Sequence, residues 1–293
     1  MLRPRSPDAP RPLNVGRCLG AGPARTPLRL VDKFDAFVID LDGTVVSGPT
    51  PVKGVAGALK KLRKTGKPFL FATNNSRLTP AGWAKRLKET GIEARAGEIV
   101  TSAGSTARFI TRKFKNPESK KAFVSASRAL VSEIKKTGIR IVGADEAARG
   151  CDVVIIGGYT GFGYQDIAAA GTAIIKGADF LATNSNFVYP ARDGRFMPAT
   201  GALTAAIEKV ARKKPVITGK PHPDIFRICR EILRVAAGRT AVIGDSLKTD
   251  IKGGKNAGMK TVLTLTGISS RADAKKSRHK PDYIIKDMSE LFR

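Results

Sequence analysis

Apolar residues along this chain fall into two alternating spacings. Short continuous runs occupy residues 34–39, 68–72, 122–124, 139–142, 153–156, 180–182, 216–218, 240–243 and 261–265. Runs of this length read as strands buried on both faces. Between them the spacing changes to that of an amphipathic helix. Residues 52–65 form such a segment, ended by Gly66, and Thr79-Pro80 opens another that carries Trp83 and Leu87 and closes at Gly91. Further helices are expected at 127–136, 164–176, 201–211, 224–235 and 251–257, with Asp224 suited to a first turn and Gly258 to a stop. Residues 281–285 read as an edge strand. Strand, loop and helix in regular succession predict an α/β fold with right-handed crossovers in a parallel sheet. The middle of the chain has its own alternation and reads as a second α/β unit inserted into the first. The expected division is a core of 32–115 with 200–293, an insert of 116–199, and a flexible basic extension of 1–31, where Arg3, Arg5, Arg11, Arg17, Arg25 and Arg29 accompany a single acid, Asp8.

Composition narrows the class. The 293 residues suffice for a sizeable core, and no apolar run is long enough to span a bilayer. Cys18, Cys151 and Cys229 are odd in number and far apart, which argues against a disulfide framework. His222 and His279 leave little material for a zinc site. A reducing, cytoplasmic setting is expected. Fifty-two basic against 25 acidic side chains give a net charge of +27, a field that draws in nucleic acid and phosphorylated metabolites alike. The surplus is diffuse, and four tyrosines and one tryptophan supply few stacking platforms, so nucleic-acid binding is the weaker reading. No coiled-coil seam sets the oligomeric state; a homodimer is compatible with the sequence.

Candidate chemistry lies at the ends of predicted strands, where open parallel sheets bind ligands. Four polar clusters follow strands: Asp40 with Asp42, Thr73 to Ser76, Lys220, and Asp245 with Asp250. Each alone has an ordinary reading, as an Asp-Gly turn, a capping loop, one surface lysine of many, or a capping aspartate. Their placement at four equivalent strand ends points to one site. Asp40 and Asp42, two residues apart, leave the chain on different sides, so one carboxylate can attack phosphorus while the other moves protons. The Thr73 hydroxyl and the loop amides of Asn74 and Asn75 can surround a phosphate oxygen without adding negative charge. Lys220 can neutralise phosphoryl oxygens. Carboxylates from separate strand ends, Asp245 among them, offer the all-oxygen ligation that magnesium prefers. Asp250 is better placed to orient Lys220 or its loop. The glycine-rich stretch 157–161 lacks a dinucleotide fingerprint and reads equally as a loop near substrate or a tight connection. His222 either touches substrate or shapes its loop.

In the order and spacing of Asp40-Leu41-Asp42-Gly43-Thr44, Thr73-Asn74-Asn75-Ser76, Thr218-Gly219-Lys220-Pro221 and Gly244-Asp245-Ser246-Leu247-Lys248-Thr249-Asp250, the chain resembles the haloacid dehalogenase-like hydrolases. The nearest branch holds NagD-like nucleotidases, p-nitrophenyl phosphatases, and phosphoglycolate and pyridoxal phosphate phosphatases. The resemblance runs from Asp35 to the C-terminus. It implies a Rossmann-like core with a large α/β cap, and magnesium-dependent hydrolysis of a small phosphate monoester through an aspartyl-phosphate. It further implies Asp40 as nucleophile, Asp42 as general acid and base, Thr73 and Asn74 as phosphate contacts, and Lys220 as charge stabiliser. Magnesium would be held by Asp245, the Asp40 carboxylate and the Asp42 carbonyl, with Asn75, Ser246 and Asp250 in support. Two positions depart from the branch: Asn184-Ser185-Asn186 lacks a common acid, and Ser246 stands where many relatives carry arginine. Transfer to a sugar or nucleotide acceptor is the alternative chemistry for the same core.

Overall fold

A computed structural model describes residues 28–190 and 195–293; most of the expected N-terminal extension lies outside the described residues. The larger sheet has six parallel strands in the spatial order Tyr283–Ile285, Lys260–Thr264, Thr240–Gly244, Ala36–Asp40, Phe69–Thr73 and Ile99–Thr101. Every residue of Ala36–Asp40, Phe69–Thr73 and Thr240–Gly244 is buried, as the continuous apolar runs require. Alternate residues serve opposite faces. Phe37, Ile39, Phe71 and Ile243 pack with Leu59 and Leu62 of the helix Val55–Lys64 and with Trp83 and Leu87 of the helix Pro80–Glu89. Ala36, Val38, Leu70 and Val242 pack with Ile225, Phe226 and Cys229 of the helix Pro223–Leu233. Each large side chain withdrawn from water in this way contributes about 2–3 kcal/mol.

A second sheet has five parallel strands in the order Val216–Ile217, Asp179–Ala182, Val153–Ile156, Lys121–Ser125 and Arg140–Val142. Helices Tyr164–Ile175 and Thr200–Ala211 cover one face. Helices Ser102–Lys113 and Arg128–Lys135 cover the other.

The expected return to the core at residue 200 is corrected by this packing. Helix Thr200–Ala211 buries Ile207 against the second sheet, and Val216–Ile217 pairs with Asp179–Ala182. Apolar spacing identifies a helix or a strand but not the sheet that will cover its apolar side. The edge strand Ile99–Thr101 and the helix Ser102–Lys113 had no sequence signal of their own, because the helix buries Ser102, Ser105 and Thr106 beside Ala103 and Ile110. Those hydroxyls are satisfied internally: Ser105 Oγ donates to the Thr218 carbonyl (2.6 Å), and Thr106 Oγ1 lies 2.6 Å from Thr218 Oγ1. The helix expected at 251–257 is a π-helical turn, Leu247–Ile251, continuing into Lys252–Asn256. The hairpin of Val188–Pro190 with Phe196–Pro198 also escaped prediction.

Both sheets reverse strand order internally. The core reverses between Ala36–Asp40 and Thr240–Gly244, the second sheet between Lys121–Ser125 and Val153–Ile156. Such switch points open a crevice beyond the carboxyl ends of the strands. Here the two crevices face each other: Ser127 Oγ donates to the Ser76 carbonyl (2.8 Å), and Ser76 Oγ donates to Thr183 Oγ1 (3.3 Å). Among the described residues, no helix is long and apolar enough to cross a membrane.

Candidate active site

Asp40 is the last residue of its strand, and its carboxylate is buried beside that of Asp245, the residue after the neighbouring strand Thr240–Gly244. The turn that follows Asp40 is tight. The Leu41 carbonyl accepts from the amides of Val45 (2.9 Å) and Val46 (2.9 Å), and Gly43 sits at φ +95°. A Cβ on Gly43 would lie 2.4 Å from Asp245 Oδ2, so only glycine lets the turn approach that carboxylate. One carboxylate oxygen from each of Asp40, Asp245 and Asp250 lies within 4.8 Å of the others.

Lys220 enters this acidic group from the other side of the switch point. All three ammonium protons have acceptors: Asp40 Oδ1, Asp250 Oδ1 (2.7 Å) and the Ala72 carbonyl (2.9 Å). Burial works against its charge, but Asp250 and Asp40 outweigh it and raise the pKa, so the side chain stays cationic. Burial pushes the Asp40 carboxyl well upward; Lys220 opposes that, and Asp250, Asp245 and Asp42 reinforce it. Burial likewise raises Asp245 to about 6, with Asp250 adding repulsion and the Ile268 amide (2.8 Å to Oδ2) and Lys220 opposing. Three buried carboxylates around one ammonium leave excess negative charge. A divalent cation with oxygen preference offsets it, so the donor set fits magnesium.

Asp42 differs from Asp40 in exposure and in hydrogen-bond partner. Its side chain is exposed to the cleft and accepts from Thr73 Oγ1 (3.1 Å). Crowding by the cleft walls raises its pKa, against the Thr73 hydrogen bond and the positive charges of Lys220 and Arg86. The pair is thus separated into a buried carboxylate held by a lysine and an open one held by a hydroxyl.

The loop after Phe69–Thr73 is organised around Lys220. Asn74 Nδ2 donates to the Lys220 carbonyl (2.9 Å), and the Lys220 amide donates to Asn74 Oδ1 (2.7 Å). Both polar atoms of the Asn74 side chain thereby hold the lysine's backbone in place. A Cβ on Gly219 would fall 2.6 Å from Asn74 Oδ1 and 2.3 Å from the Thr183 carbonyl, which explains the glycine before Lys220. Thr73 Oγ1 accepts from the Asn75 amide (3.0 Å), and Asn75 Oδ1 accepts from the Arg77 amide (3.0 Å). Asp250 divides its oxygens between Lys220 and the Ser246 amide (3.2 Å). Ser246 accepts from the Thr249 amide (3.3 Å) and caps the π-helical turn.

His222 stays beside its own loop. Its ring meets Phe109 edge to face at 5.7 Å, and Nδ1 accepts weakly from the Asp224 amide (3.4 Å). Two groups that sequence reasoning missed hold the Asn74 carbonyl: Ser102 Oγ (2.7 Å) and Asn184 Nδ2 (3.1 Å). Ser102 had no spacing signal, and Asn184 was visible only as part of a stretch typical of the cap. The arrangement brings together a buried carboxylate, an open one, a fixed cation and a cluster of carboxylate oxygens. That combination suits attack on an electrophilic phosphorus.

Comparison with known proteins supports the same chemistry. Residues 37–140 match the family described as haloacid dehalogenase-like hydrolase, and residues 217–291 match a second, HAD-hydrolase-like family. The chain is 33% identical over 255 residues to the ribonucleotide monophosphatase NagD of Escherichia coli K12, covering 87% of this chain and 96% of that one. It is 31% identical to human glycerol-3-phosphate phosphatase, covering 94% and 95%. Among solved structures, the magnesium complex of a glycerol phosphate phosphatase from Mycobacterium tuberculosis superposes with a TM-score of 0.84 at 30% identity, covering 91% of this chain and 78% of the other.

Proposed function

The chain belongs to the haloacid dehalogenase-like hydrolases, and from that membership we propose that it is a magnesium-dependent phosphatase of small phosphorylated metabolites with Asp40 as its nucleophile. The observation that carries the proposal is the meeting of Asp40, Asp245 and Asp250 with Lys220 at the switch point of the core sheet.

The Asp40 carboxylate attacks phosphorus, forming an aspartyl-phosphate as the bond to the leaving oxygen breaks. Asp42, open to the cleft, gives its proton to that oxygen. In the second half Asp42 takes a proton from water, which attacks the same phosphorus and restores the Asp40 carboxylate with release of phosphate. The upward pKa of Asp42 suits it to carry the proton in the first half. Lys220 keeps charge on the Asp40 side of the site in check, and the Asn74 clamp holds its backbone there. Asp245, Asp40 and the Asp42 carbonyl would hold magnesium, which when bound neutralises the phosphoryl oxygens and favours the ionised nucleophile. Thr73 serves as a phosphate contact once its bond to Asp42 is exchanged.

The second sheet is proposed to act as a cap over this site, from about residue 116 to 217. A cytoplasmic location belongs to the same proposal, supported by the unpaired thiols of Cys151 and Cys229. The test is phosphate release from a panel of monoesters, with and without magnesium. Turnover is expected with the metal, falling by roughly a thousandfold or more in Asp40→Asn. Release unchanged in that variant would remove Asp40 from the mechanism.

A further inference from the structure

The loop Thr218-Gly219-Lys220-Pro221-His222 carries the cation of the site, and neighbouring elements tie down its front half. Ser105 Oγ donates to the Thr218 carbonyl (2.6 Å), the Thr106 and Thr218 hydroxyls meet at 2.6 Å, and the Asn74 side chain bonds both the amide and the carbonyl of Lys220. The back half is one hydrogen bond short. There His222 caps the helix Pro223–Leu233, and its ring rests edge to face on Phe109 of the helix Ser102–Lys113.

The missing bond is at Asp224, in the first turn of Pro223–Leu233. Its side chain is fully buried. Oδ1 accepts from Arg112 of Ser102–Lys113 and, at 3.2 Å, from Arg227, whereas Oδ2 has no hydrogen-bond partner. A buried carboxylate oxygen without a donor is costly. Nδ1 of His222 lies 3.5 Å from that oxygen. In the neutral ring Nδ1 accepts from the Asp224 amide (3.4 Å), so the ring proton sits on Nε2 and Nδ1 has no hydrogen to offer Oδ2. Protonation at Nδ1 turns the same nitrogen into a donor. The His222 side chain is 22% exposed, so solvent can deliver that proton.

We infer that His222 and Asp224 form a proton-operated latch on the Lys220 loop, the imidazolium donating to Asp224 Oδ2 and fixing the back of the loop on the helix. His222 is thus a positioning residue: its ring meets Phe109 and Asp224, and it acts through the lysine two positions before it. The latch rests on the phosphatase reading for its effect on catalysis, since that reading gives Lys220 its task. Closing it exchanges a weak bond from the Asp224 amide for a charge-assisted one between imidazolium and carboxylate, the stronger of the two. Burial is the largest influence on the ring and disfavours its charge; of the charged groups facing it, Asp224 favours the imidazolium, and Arg112 and Arg227 resist it. The ring therefore protonates below its ordinary 6.5, and the lysine is held most firmly in acidic solution.

With two histidines in the chain, NMR reads the ring directly: the imidazole signal lost in His222→Asn should titrate below 6.5 in the wild type, with the added proton on Nδ1. Asp224→Asn should lower that midpoint further and Arg112→Met should raise it, because one removes the ring's anion and the other a competing cation. Kinetics then follow phenyl phosphate with magnesium from roughly pH 4.5 to 8. Asparagine offers its amide to Oδ2 at every pH, so kcat of the wild type relative to His222→Asn should be near unity on the acidic side. As pH rises through the midpoint seen by NMR, that ratio should fall roughly three- to tenfold, the size of one hydrogen bond. Taking the ratio cancels the titrations of Asp42 and Asp245, which both proteins share. His222→Phe, which keeps a ring against Phe109 but has no donor, should stay low throughout. A flat ratio, a step at another pH, a midpoint unmoved or raised in Asp224→Asn, or equal activity of the phenylalanine and asparagine variants overturns the latch. Loss of phosphate release in Asp40→Asn upholds the phosphatase reading whichever way His222 behaves. Persistence of release in that variant overturns the reading, and the latch's part in catalysis with it.

Discussion

The two sheets are built alike and equipped differently. Each is wholly parallel, each reverses its strand order once, and the two reversals face one another across the cleft. At the core's switch point stand Asp40 and Asp245, with Lys220 and Asp250 packed around them. At the other stand Ser125 and Gly157, the residues at the ends of Lys121–Ser125 and just past Val153–Ile156. One edge concentrates charge where a reacting group must be stabilised. The other offers small and neutral groups, which shape space without competing for the metal or repelling a phosphate. The same topology provides a crevice in both cases, and the side chains at its lip determine which becomes reactive.

The largest effect that separates the two edges is expected from Lys220→Met. It removes the cation from among three buried carboxylates, a change worth about 3–5 kcal/mol in stability where charges are left uncompensated. Chemical denaturation in a chelator should show the loss, greater at pH 8 than at pH 5 because protonation relieves the stranded carboxylates. Equal stability to wild type at both pH values would mean that the cluster is not charged as described.

Asp245→Asn probes the same edge in the opposite direction. The folded carboxyl sits at about 6, above its ordinary value near 3.8. The folded state therefore holds the proton more tightly, and stability is lost as pH rises from about 4 through 6. Without divalent cation, the variant should be more stable than wild type above pH 6 by the order of 2–3 kcal/mol, with the difference gone near pH 4. Magnesium should reverse the order by stabilising the wild type alone. Melting curves at pH 4 and 7.5, with and without the metal, measure all of this; a variant less stable than wild type in chelator at pH 7.5 would contradict it.

The smallest effect belongs to the neutral edge. Ser125 buries a hydroxyl with no hydrogen-bond partner. Ser125→Ala should be neutral or stabilising by up to about 1 kcal/mol, with kcat for a small monoester unchanged within about twofold. A loss of more than tenfold in kcat would show that this edge takes part in the chemistry and would erase the contrast between the sheets.

Strands such as 153–156 and 240–243 were legible because burial on both faces demands an unbroken apolar run. The acidic turn at Asp40, the Thr73 loop, Lys220 and Asp245 were legible because strand ends are where an open parallel sheet leaves polar groups free to act. Local sequence carries that much, since strand burial and turn chemistry act over a few neighbours. What only the tertiary structure decided depends on partners far away in the chain. Helix Thr200–Ala211 and strand Val216–Ile217 joined the second sheet because its surface covers their apolar sides. The Asn74 side chain became a clamp on Lys220, 146 positions distant. Ser102 and Asn184, from different layers, meet on the same Asn74 carbonyl. A hydrogen bond formed after packing leaves no periodicity in the sequence, and its donor and acceptor are assigned only when the two sheets close on each other.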